Sequence, residues 1–323
     1  MADARPPKRA RTKEPEAEPP IQRSSKYWLE DGNVILQVQS TQFRLHKSFL
    51  AIHSSVFRDM FSLPLPADEP LIEGYPLAVL HGDTSEDWVH LLDAMFPDEC
   101  FLDKPPFLDA VAGILRLGKK YDIPAFRKQC LERLKRQFPT TLEEYDEDIV
   151  VISRLQGTNF AEMSAHSINL ARELGHFSVL PSAFYCLILQ EPEVLGKHIS
   201  LLDSVQDKLA AYKGYAEMSR DYPQTPLRWL KPSECIPSAS CSTKDECELK
   251  RNRLFIELIP DPTMVAGIVD FWNEEDKWEE GLCEPCVTEA KELYEKMRKE
   301  CWEKLPSYFG LPSWEELKKM DFE

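Results

Sequence analysis

Glycine is scarce in this chain, at 12 of 323 residues. None stands in a G-x-x-x-x-G-K run, so no phosphate-cradling loop is readable. Seven histidines (His46, His53, His81, His90, His166, His176 and His198) are scattered, and none lies beside a cysteine. With no glycine-rich turn to build an oxyanion site either, the residues do not point to a nucleophilic enzyme. Positive charge is also short: 39 Lys and Arg stand against 55 Asp and Glu, for a formal net charge of −16. Such a chain repels nucleic acid unless its basic residues are segregated, so no nucleic-acid partner is expected. No apolar run is long enough to span a bilayer, so no membrane partner is expected. The first residues hold no apolar core of the kind a secretory signal needs.

Against these absences stand nine cysteines. Without a secretory signal they imply a reducing compartment, nuclear or cytoplasmic, and thiols rather than disulfides. The composition, 43% hydrophobic and 29% charged, is that of an ordinary globular protein long enough for two domains. Residues 1–25, rich in Pro, Lys, Arg and Glu, cannot bury enough surface to offset chain entropy and read as a disordered tail. Within it, Pro7 to Lys13 is either a nuclear import signal or a solvated basic run.

The most structured stretch is Asp31 to Phe61. Val34, Leu36 and Val38 alternate with Ile35, Gln37 and Gln39, as in a half-buried strand. Phe43 and Leu45 resume that period after a polar turn, Gln39 to Gln42, which predicts a hairpin. From His46 the period becomes helical: Phe49, Ile52, Val56 and Met60 recur, with Leu50, Phe57 and Phe61 beside them. Ser54 is placed to cap a second short helix. Leu77 to His81 predicts a third strand. Asp83 and Glu86 suggest a capping box for a helix carrying Trp88, Leu91, Leu92, Met95 and Phe96. A linker, Asp98 to Pro106, precedes a helix from Leu108 to Tyr121, and Pro124 opens another that runs to Phe138.

The block His46-Lys47-Ser48-Phe49-Leu50, the block Ser55-Val56-Phe57-Arg58-Asp59-Met60-Phe61, Asp31 before the first strand and Phe43 closing the hairpin together resemble a BTB/POZ domain. One departure shows: the hairpin turn is Gln-Ser-Thr-Gln where the family usually has Gly, which predicts a longer or differently twisted loop. The ending, Lys304-Leu305-Pro306 to Trp314-Glu315-Glu316-Leu317, is similar to that of BTB proteins common in basidiomycete fungi. The resemblance implies an α+β fold, with a short β-sheet and clustered helices over residues 26–140. It implies a non-enzymatic protein-interaction role, through homo- or hetero-association, with a homodimer expected. Tyr27 and Trp28 are candidate anchors of that interface. Some BTB adaptors reach a cullin-type ubiquitin-ligase scaffold through an apolar-x-Glu motif, and Leu71-Ile72-Glu73 has that character. Adaptor function is therefore the alternative, and nuclear transcription regulation, resting on the basic tail, a weaker one. In the family Asp31 and His46 belong to the structural signature near the domain core, where a buried Asp would need partners, so both read as structural; the alternative is that Asp31 lines a peptide-binding pocket.

Beyond the acidic stretch Glu143 to Asp148, residues 141–323 read as mainly helical. Apolar faces recur over Phe160 to Gly175, where a C-terminal Gly ends the helix, at Phe184, Leu187 and Ile188, and at Leu202, Val205, Leu209 and Tyr212. Further faces fall at Leu254, Phe255, Leu258 and Ile259, and from Val287 to Cys301. A proline-rich loop spans 222–240, Asp261-Pro262 suggests a helix start, and Ser313 with Glu316 a final capping box. Cys283-Glu284-Pro285-Cys286 has the spacing that lets two thiolates hold one tetrahedral zinc. Cys241 and Cys247 are the best-placed second pair, with Cys235 as a substitute. The competing reading is unligated thiols in a small helical domain. Cys130, Cys186 and Cys301 lie on apolar helix faces and read as core fillers.

Overall fold

The computed structural model describes residues 19–64, 70–96, 108–147, 160–189, 192–221, 226–232, 234–258, 272 and 277–321. The basic run Pro7 to Lys13, the linker Asp98 to Pro106 and the suggested helix start at Asp261-Pro262 lie outside them. The chain divides into two compact units, Met1–Arg127 and Lys128–Glu323.

The first unit is built on strands β1 (Gln22–Trp28), β2 (Val34–Val38), β3 (Thr41–Leu45), β4 (Leu71–Ile72) and β5 (Tyr75–Leu80), in the order β1-β3-β2-β5-β4. Hairpin β2–β3 is antiparallel, whereas β1 joins β3 and β5 joins β2 in parallel. Val34, Leu36, Val38, Phe43 and Leu45 are all buried, but Ile35, Gln42 and Arg44 are too, so β2 and β3 are covered on both faces rather than half-buried. Strand β1 begins at Gln22, inside the segment read as tail. Its residues are mostly polar and exposed, so ladder pairing rather than apolar burial orders it.

The hairpin turn differs from expectation. Val38 pairs with Thr41 and Gln37 with Gln42, leaving a tight two-residue connection, Gln39-Ser40, rather than a longer loop. Gln39 takes φ of 52°, the left-handed conformation that glycine usually supplies. Its side-chain oxygen accepts hydrogen bonds from the Ser85 backbone N–H at 3.1 Å and the Ser85 hydroxyl at 3.2 Å, which compensate the strain.

Helices α1 (Lys47–His53), α2 (Ser55–Ser62), α3 (Ser85–Met95), α4 (Leu108–Lys120) and α5 (Pro124–Gln137) follow. Ser54 caps α2 as predicted, accepting from Phe57 N at 3.0 Å. The Asp83–Glu86 box is not formed. Thr84 caps α3 instead, accepting from Asp87 N at 3.1 Å. Asp83 is turned inward, where it accepts from the Trp88 indole at 3.0 Å and from the Tyr121 hydroxyl, and pairs with Lys120. Around it Phe57 stacks on Tyr121 with centroids 4.7 Å apart, and Trp88 meets Tyr121 edge-on at 5.5 Å. Asp31 is not buried: its carboxylate is exposed and meets His46 Nε2 at 3.1 Å.

The second unit packs around α7 (Leu180–Ile188), every residue of which is buried. Around it lie α6 (Phe160–Leu174), α8 (Pro192–Ser200), α9 (Val205–Asp221), α11 (Glu284–Tyr308) and α12 (Trp314–Met320), while α10 (Lys244–Leu258) packs in a second cluster. The Ser313–Glu316 capping box is present. Helix α9 is rotated relative to its sequence pattern: Val205, Leu209 and Tyr212 face solvent, while Ala211, Gly214 and Met218 are buried. Close approach explains this. A Cβ on Gly214 would stand 2.2 Å from a Phe309 ring carbon, so the small-residue face alone fits. A separate apolar cluster joins Leu227, Trp229, Leu230, Ile236, Leu254, Trp278, Ala290 and Tyr294, with Cys247 and Cys286 among them.

Candidate functional site

In the first unit, the residues singled out as partner-binding fall at two places. Tyr27 is buried, its hydroxyl bonded to Asp93 and its ring 6.2 Å from that of Phe96. Trp28 is half-buried beneath the Arg23 guanidinium, 4.4 Å from the ring centroid. Leu71 is exposed and Ile72 half-buried in the short hairpin β4–β5, and Glu73 occupies its tip at φ of 52°. Arg23 is also ion-paired with Glu73, so one side chain ties β1 to the turn beyond β4 at the other end of the strand order. The structure thus brings Trp28 and Glu73 together through Arg23, a link with no sequence signal.

Other apolar residues of this unit stand in solvent. Ile52 is 75% exposed and Val56 40%, although both sit on the helical stripe that periodicity suggested would be covered. The break between α1 and α2 at Ser54 changes the helix direction, so Leu50 and Phe57 face inward and Ile52 and Val56 outward. The periodicity runs across the break and hides this.

In the second unit, four thiols meet. The Sγ atoms of Cys241, Cys247, Cys283 and Cys286 all lie within 4.8 Å of one another. The elements explain the convergence. Cys241 ends a turn closed by its backbone N–H to Ser238 O at 3.1 Å, and Cys247 lies in the first turn of α10. Cys283 is the N-cap residue of α11, with Pro285 preorganising the helix start and Cys286 one turn in. Two helix starts, those of α10 and α11, therefore bring the sulfurs together. The Cys286 backbone amide lowers the Cys283 thiol to about 6, whereas burial pushes Cys286 up to about 12. Donors surround the sulfurs as well. Cys283 N–H reaches Cys247 Sγ at 3.3 Å, Ser238 N–H reaches Cys286 Sγ at 3.3 Å, and the Thr243 hydroxyl lies 3.3 Å from Cys247 Sγ.

Cys235 is outside this group, its Sγ 3.7 Å from the Trp229 carbonyl. Cys130, Cys186 and Cys301 are buried apart from it, and burial raises the Cys130 and Cys186 thiols above their ordinary value. An open depression on the same unit is lined by Asn169, Arg172, Asp203 and Asp207, and two of these are paired: Arg172 meets Asp207 at 2.7 Å, joining α6 to α9.

No curated protein matches the chain. The family described as BTB/POZ domain matches residues 25–138, which take in the sheet from late β1 onward and helices α1 to α5. The parallel and antiparallel pairing around β2 and β3, the broken helix pair that follows, and the helices over the Phe57–Trp88–Tyr121 core are what that match covers. BTB/POZ domains are protein–protein interaction modules, and residues 25–138 of this chain are a BTB/POZ domain.

Proposed function

We propose that this chain is a non-catalytic interaction protein that associates with a second copy of itself through its BTB/POZ domain, its helical unit presenting a surface for a further protein. The observation that carries this reading is the pair Ile52 and Val56, four residues apart and left in solvent on that domain. Apolar side chains in that state gain free energy by association, on the order of ~25 cal/mol per Å² covered. Light scattering on the full chain tests it. The expected mass is twice the 37.3 kDa of one chain, falling to one chain in Ile52→Lys/Val56→Lys with the thermal midpoint unchanged. A monomer at every concentration, wild type included, removes self-association.

The exposure of Leu71 and of the acidic tip Glu73 favours a second reading, a substrate adaptor docking on a cullin-type scaffold. An acid at the tip of an apolar hairpin suits a basic groove. Glu73→Lys is then expected to abolish co-purification of a cullin while leaving the chain folded. Recovery of no cullin with the wild-type chain counts against it.

A further inference from the structure

We propose that Cys241, Cys247, Cys283 and Cys286 bind one structural zinc ion. Four sulfurs within 4.8 Å of one another are arranged for tetrahedral thiolate ligation. Zinc–sulfur bonds of about 2.3 Å place the sulfurs of a regular tetrahedron about 3.8 Å apart, a spacing the cluster reaches with small contraction. Cys241 and Cys283 already stand 3.5 Å apart. A disulfide needs about 2.05 Å, so the group is gathered but not cross-linked.

The surroundings fit a metal better than four neutral thiols. Neutral thiols are weak hydrogen-bond acceptors. Yet two backbone N–H groups, of Cys283 and Ser238, are aimed at sulfur. Such donors are what tune and orient thiolate ligands from outside the coordination sphere. Four thiolates packed this closely without a cation would repel one another strongly. A divalent ion reverses the sign. All four cysteines bind as thiolates, so uptake of one ion releases the protons their thiols still hold and leaves a tetrathiolate centre of net charge −2.

The ion also has structural work to do. The cluster of Leu227, Trp229, Leu230, Ile236, Leu254, Trp278, Ala290 and Tyr294 is small and is fed by separate stretches of chain. Two of the ligands, Cys247 and Cys286, are themselves buried members of it. The ion would clamp the start of α10 to the start of α11 across the residues between them. All-cysteine ligation closes the coordination sphere, which suits a structural rather than a catalytic zinc.

Metal analysis of the full chain, purified without chelator or affinity metal, tests the assignment. The expected content is one zinc per chain, at least fivefold lower in Cys241→Ser and Cys286→Ser and unchanged in Cys235→Ser. Should the ligand variants fail to fold, cobalt replacement in the wild-type chain carries the test: intense visible bands of a tetrahedral tetrathiolate centre are expected, abolished by added zinc. A strong chelator is expected to lower the thermal midpoint by ~10 °C or more. Zinc-free protein whose four thiols react freely with and without added zinc would overturn the proposal. So would a disulfide within the four, stoichiometric iron in place of zinc, or loss of zinc in Cys235→Ser alone.

Discussion

Asp83 accepts the indole N–H of Trp88 at 3.0 Å, from a position five residues earlier in the chain and just before the helix that carries the tryptophan. The same carboxylate takes the Tyr121 hydroxyl and the Lys120 ammonium, so one buried acid fastens α3 to the end of α4. Its side chain is almost wholly enclosed, and its buried partners Trp88 and Tyr121 have no water to turn to, whereas Lys120 is partly exposed.

Replacing Asp83 with Ala leaves the Trp88 N–H and Tyr121 O–H unpaired in the core. At ~1–3 kcal/mol for each buried group left without a partner, a destabilisation of about 2–6 kcal/mol is expected. Asp83→Asn keeps an acceptor and is expected to lose less. Urea unfolding of the full chain, read through tryptophan fluorescence, measures both. Equal losses would show that the enclosed charge, rather than the acceptor oxygen, carries the tether.

The tyrosines give an alkaline limit. Burial, reinforced by the hydrogen bonds to Asp83 and Asp93, raises the Tyr121 and Tyr27 hydroxyls above the ordinary value, and burial does the same at Tyr308. In the unfolded chain these groups lose protons from about pH 10 upward. The folded state keeps its protons there, so stability that is complete below pH 10 is lost as the pH rises through the raised folded values. The thermal midpoint is expected to hold to about pH 10 and fall above it, with the phenolate absorbance of Tyr27, Tyr121 and Tyr308 appearing at unfolding rather than before it. Full phenolate absorbance in the folded protein near pH 10 would contradict this.

Thr84 and Glu86 separate two accounts of how α3 starts. Thr84 supplies the cap, and Glu86 is exposed. Thr84→Ala is expected to cost ~1 kcal/mol, a usual value for a lost cap. Glu86→Ala should stay within about 0.5 kcal/mol. A larger loss at Glu86 than at Thr84 would restore the capping box suggested by the sequence.

Gly214 is where α9 meets Phe309. A methyl group there overlaps the ring, and the ring is itself stacked on Phe184 at 5.1 Å and has no free space to retreat into. Gly214→Ala is therefore expected to destabilise the helical unit by about 1–3 kcal/mol despite the better helix propensity of alanine. Leu209→Ala, on the exposed face of the same helix, is expected to change stability by less than about 0.5 kcal/mol. Calorimetry of the two variants compares them directly.

Periodicity carried the strands β2 and β3 and the helices with one buried face. Val34, Leu36 and Val38 recur every second residue because a pleated strand has two sides, and Ala290, Tyr294, Met297 and Cys301 recur at helical spacing because α11 has one buried stripe. It misled where a helix is broken or packed by its small residues. Ile52 and Val56 continue a stripe across the Ser54 break and emerge in solvent. Val205, Leu209 and Tyr212 form a good apolar stripe on the wrong side of α9. Strand β1 was missed because its residues are polar and its order comes from pairing with β3. The thiols were half legible. Cys283 and Cys286 share a short spacing, whereas the choice of Cys241 and Cys247 over Cys235 depends on where a turn and a helix start bring their sulfurs.

Local sequence determined the alternation of short strands and amphipathic helices, the caps at Ser54 and Ser313, and the BTB/POZ character of the first unit, because each rests on residues within a few positions of one another. Only the tertiary structure decided which residue caps α3 and which acid ties it to α4, which apolar residues stay in water, and which four cysteines meet among the described residues. Those outcomes depend on distances between side chains such as Cys247 and Cys283, far apart along the chain, and no repeat along a sequence encodes a distance across a core.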